Sequence, residues 1–191
     1  VILFADDLGY GDLECYGHPT IKTPNLDNMA NEGMRFTQFY VSATICTPSR
    51  GALLTGRLPV RTGIHSGVFF PDSKLGIPQE ELTLPEALKE AGYATACFGK
   101  WHLGHHEQYL PTNNGFDEYF GIPYSNDMGP RPGNGRFSKF PPTPLIEGTE
   151  VIEEDPDQRY LTKRYTEKAL DFIQRKKGES FFLYLPYTMP H

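Results

Sequence analysis

Residues 1–5, 93–98 and 181–185 are apolar runs of strand length, and each runs into polar residues able to do chemistry. Asp6-Asp7 follows the first, Gly99-Lys100-Trp101-His102 the second, and Pro190-His191 lies just beyond the third. Helical patterns separate the runs. Thr83-Leu84-Pro85-Glu86 is a capping box with proline in the first turn, and it opens a helix that stops at Gly92. Leu161, Tyr165, Ala169, Phe172 and Ile173 fall on one face of a helix expected over about 158–176. Strands alternating with helices imply an α/β layered fold with a largely parallel sheet. Ligands of such sheets sit beyond the carboxyl ends of the strands. Three polar clusters at equivalent strand ends are therefore the first sign of a site.

The remaining segments fill in this outline. Thr23 as cap and Pro24 in the first turn set up a helix through about Asn31, closed by Gly33. Residues 34–41 alternate apolar and polar with aromatics, which predicts a strand. Residues 48–54 read as a short helix ending near Gly56. Residues 121–158 are rich in proline and glycine and read as a long irregular excursion within one domain, because strand–helix alternation resumes after them. A length of 191 residues fits one domain or a large piece of one. The net charge is -6 and no basic run is interleaved with aromatics, which argues against a nucleic-acid partner. No apolar run approaches the roughly 20 residues of a membrane span. The chain opens on a strand already under way and stops soon after another, so both ends are expected to be cut, and the lack of a leader carries no information.

Cys15, Cys46 and Cys97 cannot all pair with one another, and no cysteine or histidine spacing suggests zinc. Cys97, inside an apolar run, reads as a small buried hydrophobe, and Cys15 stays open. Adjacent aspartates are commonly a solvated turn or a helix cap. Held together and partly buried, Asp6 and Asp7 would need a compensating cation, and carboxylate oxygens select Ca²⁺ or Mg²⁺. Cys46-Thr47-Pro48-Ser49-Arg50 places a cysteine near a helix start and an arginine, where a thiolate nucleophile is one reading and a structural cysteine the other. His18, His65, His105 and His106 read as structural.

Cys46-x-Pro48-Ser49-Arg50, followed by Leu53-Leu54-Thr55-Gly56-Arg57, resembles the signature of the type I sulfatases. Their opening motif stands intact as Ala5 to Asp12, and their G-K-W-H-L-G motif as Gly99 to Gly104. Order and rough spacing also match, over essentially the whole chain. The stretch Gly121 to Ser125 resembles the branch containing arylsulfatase A and N-acetylgalactosamine-6-sulfatase. The resemblance implies an alkaline-phosphatase-like α/β/α sandwich with a largely parallel mixed sheet. Residues 1–191 would be the amino-terminal part of its catalytic domain, and the sheet would be incomplete at both ends. An Asp-Asn pair and a second lysine of the site would lie further on, so this segment alone is expected to turn over little.

The resemblance further implies that a formylglycine-generating enzyme oxidises Cys46 to formylglycine. Asp6, Asp7 and the modified Cys46 would bind a divalent metal, Ca²⁺ before Mg²⁺. Arg50 would hold the hydrated aldehyde, and Lys100 and His102 would face the nucleophile and the sulfate. Ser125 would assist His102 or touch the sulfate, and His191 would stand near the leaving oxygen. An aryl or carbohydrate sulfate ester is the implied substrate, in a periplasmic, secreted or lysosomal setting. The chemistry accounts for these residue types. A hydrated aldehyde has two hydroxyls: one attacks sulfur as the alcohol leaves, and the second then loses its proton, so that the aldehyde re-forms and sulfate departs. A serine at the same place would remain a stable sulfate ester. Metal, lysine and arginine offset charge on the sulfuryl oxygens. On this resemblance His102 would serve as base for the elimination and His191 as acid for the leaving oxygen. The competing readings are a phosphate or phosphonate ester hydrolase of the same superfamily, a non-catalytic binding protein on a sulfatase scaffold, and a cysteine hydrolase pairing Cys46 with His102.

Overall fold

The computed structural model describes residues 1–130 and 132–191. Its elements in chain order are β1 (Ile2–Asp6), α1 (Pro24–Glu32), α2 (Cys46–Thr55), α3 (Pro59–Thr62), α4 (Leu84–Glu90), β2 (Ala94–Lys100), β3 (Glu118–Ile122), β4 (Pro144–Glu147), β5 (Glu150–Glu154), α5 (Leu161–Arg175) and β6 (Phe181–Pro190). The strands form one sheet in the order β1-β6-β2-β3-β4-β5. The first four are parallel, and β4 and β5 add an antiparallel hairpin. This is the layered α/β fold expected from the alternation of strands and helices.

Both faces of the sheet are covered, and the two-residue period of each strand sorts its side chains between them. Cys97, Phe182 and Tyr184 face one way, into a core with Leu54 of α2, Ile64, Ile77, Trp101 and Phe116. Ala96, Phe98, Leu183 and Leu185 face the other way, against Leu161, Tyr165, Ala169 and Phe172 of α5. The apolar stripe read from the sequence is thus the buried face of α5. Burying a large apolar side chain such as Leu161 or Phe172 contributes about 1.5–3 kcal/mol. Burial pushes the Cys97 thiol far above its ordinary range, consistent with an inert packing role. The Thr83 capping box also forms: the Thr83 amide donates to Glu86 Oε2 at 2.7 Å, and the Glu86 amide to Thr83 Oγ1 at 3.4 Å.

Four expectations change. Residues 34–41 form no strand, and Met34, Phe39 and Tyr40 are exposed. Alternation alone does not make a strand; a hydrogen-bonding neighbour is required, and none of the described strands pairs with this segment. The excursion over 121–158 is less irregular than its composition suggests. It contains the end of β3 and the β4–β5 hairpin, which turns at Gly148 with φ 63°. Arg131, inside that stretch, lies outside the described residues. The helix expected over 48–54 starts earlier, at Cys46 itself. Thr23 occupies the cap position of α1, but its hydroxyl donates to Asp27 Oδ1 and accepts from the Glu14 amide, tying the helix to the preceding loop.

Two glycines bring the central strands together next to Lys100. Gly99 and Gly121 are paired in register on β2 and β3. A Cβ on Gly121 would lie 1.8 Å from the Gly99 carbonyl oxygen, and one on Gly99 would lie 2.0 Å from that of Pro186. Gly99 also has φ 141°, where other residues are strained. Neither clash is with a flexible side chain, so backbone must move. Gly121→Ala is accordingly expected to destabilise the fold by about 3 kcal/mol in denaturant unfolding, against a few tenths for an exposed glycine such as Gly178. A midpoint unchanged from the parent would contradict this close packing.

Candidate active site

The carboxyl ends of β1, β6 and β2 converge, since Asp6 pairs in register with Pro190 and Cys97 with Tyr184. Asp6, Lys100 and His191 are thereby brought together from positions far apart in the chain. Beyond these ends the backbone turns sharply: Asp7 (φ 58°) and His102 (φ 59°) both adopt the left-handed conformation, uncommon for residues other than glycine. Helix α2 enters from the side with Cys46 in its first turn and Pro48 two residues on, a place where the missing amide costs no helix bond.

The centre of the site is a buried charge cluster. Lys100 Nζ donates to Asp6 Oδ2 at 2.6 Å, to Ser125 Oγ at 3.0 Å and to Cys46 Sγ at 3.2 Å. Arg50 Nη2 lies 3.3 Å from Asp6 Oδ1, Nη1 donates to the Lys100 carbonyl at 2.5 Å, and the guanidinium stands over the Phe4 ring. The Cys46 thiol donates to Asp6 Oδ1 at 3.6 Å. Burial pushes the Asp6 carboxyl upward, but Arg50 and Lys100 outweigh it and hold Asp6 below the usual carboxylate range. Arg50 and Lys100 are fully buried and Asp6 nearly so, whereas the Asp7 side chain is 61% exposed. Two buried cations therefore face one buried carboxylate. The cluster retains positive charge, and of the buried Arg50 donors Nη2 makes the 3.3 Å ion pair with Asp6. An excess of buried positive charge suits an anionic ligand.

His102 stands beside this cluster. Its Nε2 lies 3.1 Å from the Phe69 carbonyl and its Nδ1 is buried without a partner. Burial first, then Lys100 and Arg50, hold its pKa well below the ordinary value, so the imidazole is neutral. His102 makes no direct hydrogen bond to Cys46; the two connect through Thr47, whose hydroxyl donates to the His102 carbonyl at 2.8 Å. Ser125, expected on His102 or on the ligand, accepts from Lys100 Nζ, which leaves its own hydroxyl proton to donate. The His191 amide donates to the Asp6 carbonyl, and its Nδ1 is 3.2 Å from Asp6 Oδ2 and 3.6 Å from Asp7 Oδ2.

The donor atoms of Asp6, Cys46 and His191 lie within 4.8 Å of one another, with Asp7 at the edge of the group. The carboxylates offer hard oxygens, but a thiol sulfur and an imidazole nitrogen favour softer ions. With oxygen in place of the Cys46 sulfur, Asp6, Asp7 and position 46 would offer a harder donor set, suited to a hard divalent cation. Of the other histidines, His18 Nδ1 accepts from the Thr20 and Ile21 amides, the His105 and His106 rings meet at 4.4 Å in a tilted arrangement, and His65 is exposed. The sequence reading missed Thr47 and Phe69. Thr47 lies inside the conspicuous string but carries no chemical signal of its own, and Phe69 contributes only backbone.

A cleft of about 480 Å³ opens over the cluster, lined by Asp6, Asp7, Val41, Thr44, Cys46 and Arg50. A hollow of like volume beside the β4–β5 hairpin, bounded by Pro71, His105, Tyr124 and Glu154, contains none of the clustered charges. Among the described residues no helix is long and apolar enough to cross a membrane.

A cysteine on a helix start, beside two buried cations at the strand ends of a layered α/β sheet, makes a site suited to an anion. The sulfatase family model matches residues 1–191, and the chain belongs to that family. Over 199 residues it is 47% identical to arylsulfatase A of Homo sapiens, covering 96% of this chain and 39% of that protein. N-acetylgalactosamine-6-sulfatase of Canis lupus familiaris is 43% identical over 209 residues, covering 100% of this chain and 39% of that one. The crystal structure of Ps i-CgsB in complex with k-i-k-neocarrahexaose superposes with a TM-score of 0.85 at 33% identity, covering 99% of this chain and 44% of that one. The chain thus spans about two fifths of the length of the curated relatives it matches. Family membership implies, in general terms, a metal site and a formylglycine nucleophile.

Proposed function

We propose that this chain carries the nucleophile half of a sulfuric ester hydrolase acting on an aryl or carbohydrate sulfate ester, and that residues 1–191 are the amino-terminal part of its catalytic domain. The observation that carries this reading is Cys46, on the first turn of α2, 3.2 Å from the fully buried ammonium of Lys100 and close to the buried guanidinium of Arg50. Oxidised to formylglycine by a maturation enzyme, position 46 supplies a hydrated aldehyde, with one hydroxyl for attack and a second for release of sulfate. Asp6 and Asp7 would hold Ca²⁺ with it, the cation supplying Lewis-acid polarisation of the sulfuryl group. The setting would be extracytoplasmic.

The chain's own residues then have separable tasks. Lys100 and Arg50 present a preorganised positive environment to the anionic sulfuryl group under attack. Asp6 keeps both cations in place and, being ionised, is available to a metal. His102, neutral and with an unprotonated nitrogen, can accept the proton given up when the aldehyde re-forms. His191, at the cleft beside Asp6 and Asp7, would deliver a proton to the departing alcohol oxygen.

The test is turnover of matched aryl sulfate and aryl phosphate esters by the maturation-competent protein, before and after exhaustive chelation. The sulfate should be the better substrate by at least about tenfold, and chelation should remove most of the activity, with Ca²⁺ restoring it better than Zn²⁺. A preference for the phosphate would favour the phosphate-ester reading. Full activity with no detectable metal would remove the metal from the mechanism.

A further inference from the structure

Thr47 is buried in the first turn of α2, one residue after the nucleophile position, and the roles assigned above leave it without a task. Its surroundings form a closed ring of hydrogen bonds. The Thr47 hydroxyl donates to the His102 carbonyl at 2.8 Å. It accepts from the Phe69 amide at 3.2 Å. The Phe69 carbonyl faces His102 Nε2 at 3.1 Å. A hydroxyl has one proton, so a threonine that donates to His102 can only accept from Phe69, and the directions round the ring are determined. A carbonyl cannot donate, so the last bond exists only when Nε2 bears the imidazole proton. Nδ1 of the neutral ring is then the free acceptor, and it is the buried nitrogen without a partner.

We propose that Thr47 is a positioning residue: its hydroxyl clamps the Phe69 backbone against His102, fixes the imidazole as the Nε2–H tautomer and leaves Nδ1 free to take the proton. The role deepens the proposed function and rests on His102 serving as its base. It also links the nucleophile position to that base through the adjoining residue, so that both move with the first turn of α2. The physical alternative is a threonine that merely fills space, for which valine is nearly isosteric.

The test uses the mature, maturation-competent protein labelled with ¹⁵N-histidine, with tautomers read from two-bond proton–nitrogen correlations. The wild type should show His102 as the Nε2–H form alone. Thr47→Val should give a mixture or the Nδ1–H form and lower kcat about 10- to 100-fold with KM little changed, as expected for a misplaced catalytic group. Thr47→Ser, which keeps the hydroxyl, should restore both readings. A wild-type His102 in the Nδ1–H form would overturn the proposal, and so would a folded Thr47→Val that keeps either the tautomer or kcat. If Thr47→Val does not fold, the wild-type tautomer and the Thr47→Ser kinetics decide. The tautomer arm needs no substrate, so absence of sulfate-ester turnover in the wild type would refute the proposed function and leave this assignment to be judged by the spectrum.

Discussion

Cys46→Ala is expected to reduce sulfate-ester turnover by about 10⁴-fold or more, the usual scale for deleting a nucleophile from an otherwise intact site. The fold should survive. Cys46 is only part-buried, and its thiol makes two long contacts, at 3.2 Å and 3.6 Å, with groups that also bind each other. Cys46→Ser separates the mechanism from simple loss of a side chain. A serine hydroxyl can attack sulfur but has no second hydroxyl for release, so the variant should accumulate a sulfated residue 46. In the active wild type, the peptide bearing residue 46 should have exchanged one sulfur and two hydrogens for one oxygen. An intact thiol in a fully active preparation would refute the formylglycine route and leave the cysteine-hydrolase reading.

The charge cluster makes a second large prediction, in which stability and activity part company. Lys100 and Arg50 oppose Asp6 alone in the buried interior. Asp6→Asn leaves two buried cations without a counter-charge, and breaking a buried pair in this way costs about 3–5 kcal/mol. Lys100→Met leaves the balanced pair of Arg50 and Asp6, fills similar volume and should cost far less. At Lys100 the two effects separate. Lys100→Met should lose about 10²- to 10³-fold in kcat/KM, the scale for removing one preorganised charge from a developing anion, while remaining folded. Denaturant unfolding of the metal-free proteins, with kinetics on the loaded ones, measures both. Equal destabilisation by the two substitutions would show that the charge count misdescribes the interior. A fully active Lys100→Met would remove Lys100 from catalysis.

The sequence by itself determined the parts of this protein whose physics is local. The Thr83–Glu86 capping box is complete within four residues. The stripe from Leu161 to Phe172 follows from the helical period, whatever it packs against. The alternation of strands and helices limits the fold to a layered sheet, and the strings around Asp6, Cys46 and Lys100 carry their chemistry in their own letters. Tertiary structure decided what depends on a partner distant in the chain. Residues 34–41 have strand periodicity but no neighbour to bond, whereas the hairpin of β4 and β5, masked by proline and glycine, forms because β3 offers an edge. His191 meets Asp6 at a separation of 185 positions only because β6 lies beside β1 in parallel register. Ser125 serves Lys100, and the Phe69 backbone serves His102, for the same reason. A residue type announces which bonds it can make. Which group receives them is set by the packing of the sheet, and a backbone carbonyl such as that of Phe69 leaves no mark in the sequence at all.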